Sequence, residues 1–149
     1  MDTPYDLRTG LGYQLTIAAR TNNADFEAAL ARLGITRQMW CVLVAVGEQN
    51  ITAPSAIADY IGIIRPAASR TLKQMDQKGL LHRKNGQTDK RTTTVALTDQ
   101  GRDVLDRSMP MALATRSAID GALTANEQQQ LSQLLAKLTS SLQTTATGV

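Results

Sequence analysis

Little in these 149 residues is equipped for catalysis or metal chemistry. Cys41 is the single cysteine and His82 the single histidine. A lone thiol forms no internal disulfide, and one histidine with one remote cysteine is not a metal site. No apolar run approaches the roughly 18 residues that would suggest a membrane span. The opening MDTPYDLRTG lacks the basic-then-apolar pattern of an export signal, so a cytoplasmic location is the default expectation. There is no Gly-rich phosphate loop and no nucleophile–base–acid constellation, which leaves neither an enzyme nor a cofactor to expect. Internal repeats and low-complexity segments are also missing.

What is present is an ordinary globular composition, 42% hydrophobic and 19% charged, at a length that suits one compact domain over 1–149. The net charge of +3 says little, but its distribution says more. Between Ile63 and Arg91 lie eight basic residues against Asp76 and Asp89, a local +6, so the rest of the chain carries −3. A basic stretch in a mildly acidic protein is the electrostatic footprint of phosphate binding.

The pattern of apolar residues and caps orders the elements. Leu7, Leu11, Leu15, Ala18, Phe26, Leu30 and Leu33 recur near helical spacing, as one long helix or two abutting ones, and Gly34 is a stop signal. Thr36 caps a helix carrying Met39, Trp40, Leu43, Val44 and Val46. Thr52-Ala53-Pro54-Ser55 reads as a hydroxyl-capped start with proline in the first turn, and Gly62 ends that helix. A second start follows at Ile64-Arg65-Pro66, with a stop at Gly79, giving the helix-turn-helix pattern. Leu80 to Lys84 and Thr92 to Leu97 read as the strands of a hairpin, with Asn85-Gly86 as a turn signal. Thr98 caps the next helix, inside which Pro110 predicts a kink or break. Thr124-Ala125-Asn126-Glu127 matches a capping box, followed by Leu131, Leu134, Leu135, Leu138 and Leu142 on one face. The expected fold is mainly α with a small β-hairpin wing. A winged helix-turn-helix region over 36–98 is flanked by dimerisation helices over 5–33 and 99–143.

The helix from Arg65 to Lys78 has two faces. Ala68, Leu72 and Met75 face inward, while Pro66, Ser69, Arg70, Lys73 and Gln77 face outward. Small residues near its start let the backbone approach a duplex, and the major groove admits such a helix. Arg70 is the best candidate for a base edge, because guanidinium pairs with guanine in a bidentate way. Ser69 and Lys73 suit phosphates or bases. In the hairpin, Arg83, Lys84, Lys90 and Arg91 crowd the loop as a wing for the adjacent minor groove. Asp89 would accept hydrogen bonds from backbone amides or from Arg91 and so aim that arginine.

The ordered pieces Arg65-Pro66-Ala67-Ala68-Ser69-Arg70, Lys78-Gly79-Leu80-Leu81, Asp89-Lys90-Arg91 and Ala96-Leu97-Thr98-Asp99-Gln100-Gly101-Arg102 resemble the MarR family of bacterial regulators (multiple antibiotic resistance regulators). The resemblance spans nearly the whole chain. It implies a homodimer with interleaved terminal helices, bound to double-stranded DNA at a near-palindromic operator and more often a repressor than an activator. It also implies that Ser69, Arg70 and Lys73 enter the major groove and Arg91 the minor groove, with Ser55 on a phosphate. The DNA-binding set extends to Arg65, Pro66 and Ala67 at the helix start. Three departures stand out. Ile64 occupies the usual position of a capping serine or threonine, Ala67 and Ala68 replace residues that are often Thr and Val, and the wing tip lacks the common proline and acidic residues.

By the same resemblance a small aromatic or phenolic effector would bind, with Tyr13, Arg20, Met39, Trp40, Met109 and Arg116 as the lining residues. Cys41, with no lysine or histidine adjacent, reads as a buried structural thiol. The competing reading of the whole chain is a winged-helix module for ligands or proteins without specific DNA binding, and the basic middle argues against it.

Overall fold

Four helices, a two-stranded hairpin and two further helices follow one another in the expected order. The computed structural model describes residues 4–86 and 93–146. A 3-10 turn (Leu7–Thr9) precedes α1 (Leu11–Arg32), α2 (Arg37–Gly47), α3 (Pro54–Ile61) and α4 (Arg65–Gln77). Strands β1 (Leu81–Asn85) and β2 (Thr93–Leu97) come next, then α5 (Asp99–Ala122) and α6 (Ala125–Ala146). By its contacts the chain divides into two compact units, Met1–Ala112 and Leu113–Val149.

The core of the first unit is built around α2, whose Val42, Leu43 and Ala45 are completely buried. They meet Phe26 and Leu30 of α1, Ile57 of α3, Leu72 and Met75 of α4, Leu81 and Val95 of the hairpin and Leu105 of α5. Each such large side chain contributes about 1.5–3 kcal/mol by leaving water. Local signals set the helix ends. Thr36 Oγ1 accepts the Met39 N–H at 3.2 Å and starts α2. Gly62, at φ 72°, ends α3 in the left-handed region, where a side chain is disfavoured and glycine is not. That sharp stop leaves only Ile63 and Ile64 before α4 begins.

Two expectations are corrected. The hydroxyl cap read at Thr52 does not form: Ala53 is the N-cap of α3, without a side-chain bond. The Thr52 carbonyl instead accepts the Val95 N–H at 2.8 Å, so the sheet edge claims this backbone and the helix begins later. Finally, α5 runs unbroken through Pro110. Met109, Met111 and Ala112 pack against the core on either side of the ring, which offsets the hydrogen bond that proline cannot make.

One junction ties the hairpin to the helices. Thr98 Oγ1 donates to the Gly79 carbonyl at 2.6 Å and accepts the Gly101 N–H at 3.0 Å. The Thr98 N–H reaches the Leu80 carbonyl at 3.2 Å. Gly101 is buried, so close to Leu80 that an added Cβ would run into its carbonyl oxygen. The next residue, Arg102, donates to the Gly47 carbonyl at 3.1 Å and to Glu48 Oε1 at 3.3 Å, closing the C-terminal end of α2.

In the second unit the expected capping box forms. The Glu127 carboxylate accepts the Thr124 N–H at 2.8 Å, and the Glu127 N–H donates to Thr124 Oγ1 at 3.3 Å. The backbone bond from Thr124 is the main cause holding the Glu127 carboxyl below its ordinary range, with the Thr124 hydroxyl second. A depressed folded pKa gives stability that is present above the ordinary carboxylate range and lost as pH falls through the depressed value. The melting difference between wild type and Glu127→Gln should therefore shrink to nothing in acid; a difference that persists there would place the effect elsewhere. Leu131, Leu134, Leu135, Leu138 and Leu142 of α6 are all exposed.

Candidate nucleic-acid interface

Helix α4 presents the two faces expected of it. Ala68, Leu72 and Met75 are buried, whereas Pro66, Ser69, Arg70, Lys73 and Gln77 are exposed. Ala67 lies at the boundary, half-buried. Thr71, unremarked in the sequence, is buried on the inner side and bridges two elements. Gln38 Nε2 donates to its hydroxyl at 2.6 Å, and the hydroxyl donates to the Ala67 carbonyl at 3.0 Å. Lys78 Nζ reaches back to the Gly34 carbonyl at 3.1 Å, so this cation of the basic stretch helps close the end of α1.

The N-cap of α4 is Ile64, with no side-chain bond. Its carbonyl compensates, accepting the Ala67 N–H at 3.0 Å and the Ala68 N–H at 3.1 Å. Pro66 has no N–H to leave unpaired. The missing cap therefore leaves few orphan donors at the start of this helix.

The strands sort the wing cations by pleat. In the register Leu81↔Leu97, Arg83↔Val95 and Asn85↔Thr93, Arg83 shares the inward side with buried Val95, and Lys84 takes the opposite side. Arg83 and Lys84 thus lie within β1, in the strand read there, on opposite sides of it. Asp89, Lys90 and Arg91 fall outside the described residues. Arg83 Nε donates to Asp76 Oδ2 of α4 at 3.2 Å, a pairing that the sequence reading missed.

Between the start of α3, α4 and the hairpin lies an open cleft of about 350 Å³, lined by Pro54, Ser55, Arg65, Ala68, Ser69, Leu72, Arg83 and Thr93. It gathers four residues assigned from the sequence (Ser55, Arg65, Ser69 and Arg83) and adds Thr93, which was not foreseen. Arg70 and Lys73 stay outside it, on the exposed face of α4. The cleft offers hydroxyls and guanidinium groups and no carboxylate, the donor set that binds phosphate oxygens. Among the described residues no group of three or more His, Cys, Asp or Glu is placed to hold a metal, and no single helix is long and apolar enough to cross a membrane.

The residues assigned to an effector do not converge on this cleft, nor on a second one between α1, α2 and α4. Met39 is in the core, and Trp40 is half-buried, edge-on to Phe26 with ring centroids 4.9 Å apart. Tyr13 is half-buried, Arg20 is exposed, and Met109 packs against the core. In the second unit Arg116 pairs with Asp120 at 3.7 Å. Among the described residues Trp40 Nε1 is buried without a hydrogen-bond partner, the kind of exception that calls for an explanation.

Burial pushes the Cys41 thiol upward, and Arg37, one turn earlier on α2, opposes this more weakly. Cys41 should therefore be alkylated by iodoacetamide more slowly than a free thiol at neutral pH, since only the thiolate reacts. Labelling as fast as free cysteine would contradict that environment.

A helix-turn-helix with an exposed cationic recognition face, a hairpin wing and a phosphate-type cleft between them defines a winged-helix DNA-binding protein. The model of the MarR family matches residues 33–92, and solved regulators of similar fold cover the flanking helices as well. Escherichia coli MarR, solved as a mutant complexed with operator DNA, is 25% identical at a TM-score of 0.74, over 86% of this chain and 92% of that one. Staphylococcus aureus MepR, solved as a DNA complex, shares the fold at a TM-score of 0.81 with 19% identity, over 89% of this chain and 98% of that one. Bordetella bronchiseptica BpsR, whose DNA binding is regulated by 6-hydroxynicotinic acid, shares it at 0.78 with 22% identity, over 92% and 98%.

Proposed function

We propose that this protein is a cytoplasmic, sequence-specific transcriptional regulator, a repressor that binds a near-palindromic operator as a homodimer. The observation that carries this reading is the convergence of Ser55, Arg65, Ser69 and Arg83 on one cleft beside exposed Arg70 and Lys73. In this reading α4 enters the major groove, with Pro66 and Ala67 permitting close approach and Ser69, Arg70 and Lys73 reaching bases and phosphates. Lys84, Lys90 and Arg91 serve the wing in the minor groove, where Asp89 aims Arg91. Exposed Leu7, Leu11 and Leu15 near the N-terminus and the leucines of α6 supply apolar faces for a second copy.

Selection from a pool of random duplexes tests the reading. The expected product is a two-fold symmetric site whose half-sites are one helical turn apart, roughly 34 Å, bound with an affinity that falls steeply with salt. No enrichment over random DNA would favour a winged-helix module with a protein or small-molecule partner instead.

The orphan Trp40 N–H supports an effector reading. A small aromatic acid that accepts this bond would favour a dimer whose recognition helices no longer match the half-sites. Trp40 is the only tryptophan, so its fluorescence reports directly on the site. Titration with 6-hydroxynicotinic acid should shift the emission and release the selected duplex; release without any Trp40 response would move the effector elsewhere.

A further inference from the structure

We infer that the cleft between α3, α4 and β1 seats one DNA backbone phosphate, and that Asp76 is the positioning residue that aims Arg83 into it. The inference rests on the DNA-binding reading above and deepens it.

Two guanidinium groups, Arg65 and Arg83, line the same small cleft together with the hydroxyl-bearing Ser55, Ser69 and Thr93. Asp76 pairs with Arg83 from outside the lining, and Arg65 adds a second positive charge, so an anion in the cleft meets net positive charge and hydrogen-bond donors. The five groups come from the start of α3, from α4 and from both strands of the hairpin. One phosphate held by all of them would fix the wing and the recognition helix to the same point of the backbone, and so set how α4 enters the groove.

Asp76 does not line the cleft. It meets Arg83 at Nε, the inner nitrogen, at 3.2 Å, which leaves the two outer nitrogens for a ligand. Both side chains are 38% exposed, so the pair adds little to stability. Its use is geometric, because an arginine held at Nε keeps a fixed fork for bidentate contact with phosphate oxygens.

The test is a scan of neutral methylphosphonate replacements, one phosphate at a time, along a duplex enriched by the wild-type protein. For wild type, one phosphate per half-site should show a loss of affinity that disappears in Arg83→Gln, whose salt-dependence slope falls by about one. In Asp76→Asn the same phosphate should be muted while the profile elsewhere is kept, and Asp76→Glu should restore part of it. A purely structural Asp76 would instead weaken binding at every position alike, and that pattern overturns its positioning role. A flat scan at the Arg83-dependent position, with inorganic phosphate raising the melting temperature only when Arg83 is present, would assign the cleft to a free anion and overturn the backbone contact. If wild type enriches no duplex, the DNA-binding reading itself falls, an outcome distinct from a bound duplex with no Arg83-dependent phosphate.

Discussion

Gly101→Ala should lower stability by about 3 kcal/mol or more, at the upper end of overpacking effects. The new Cβ would occupy the place of the Leu80 carbonyl oxygen. A backbone atom cannot rotate aside as a side chain can, so relief requires α5 to move away from the end of α4. That movement would stretch the bonds from Thr98 to Gly79 and from Gly101 to Thr98. At this chain length each kcal/mol shifts the melting temperature by about 2–4 °C, so a fall on the order of 10 °C is expected. Gly121→Ala is the internal control: it lies in the same helix with nothing within 4 Å of the added carbon, and should raise stability slightly. Equal melting temperatures for the two variants would refute the close-approach account of Gly101.

Arg70→Ala should leave the fold intact, because the side chain is exposed on α4, yet cost about 1–3 kcal/mol in binding the selected duplex. The expected signature is selective. Discrimination against a base change at one position of each half-site should relax, since a bidentate base contact has been removed. Lys73→Ala offers the contrast, weakening all duplexes more evenly and reducing the salt slope. Gel-shift titrations of both variants on matched and randomised duplexes separate these outcomes. An Arg70→Ala protein that discriminates as wild type does would remove Arg70 from base readout.

Features set by a few neighbouring residues were legible in the sequence. The Thr36 cap, the Gly62 stop, the Thr124–Glu127 box and the inner and outer faces of α4 all depend on spacings within one or two turns. What escaped notice depends on partners distant in the chain. The Thr52 hydroxyl suits a cap, but the Thr52 carbonyl is taken by Val95, 43 positions on. Arg83 and Lys84 looked alike as wing cations; the pleat separates them, and Asp76 claims only the first. The motif from Leu97 to Arg102 carries a resemblance in sequence, while its work as a junction is visible only once Gly79, Leu80 and Gly47 lie beside it.

The Thr98 hydroxyl has a consequence for recombining proteins of this kind. One oxygen atom serves the glycine after α4, the first turn of α5 and, through its own residue, the end of β2. A chimera that grafts in a foreign wing with a seam at Thr98 would separate parts that share this atom. Seams at Asn85 and Thr93, where the strands are joined to each other by Thr93 Oγ1 and Asn85 Oδ1 at 3.3 Å, leave the shared oxygen in its native setting. Wing loops should therefore be exchangeable cassettes, provided that the exchange stops short of the end of β2.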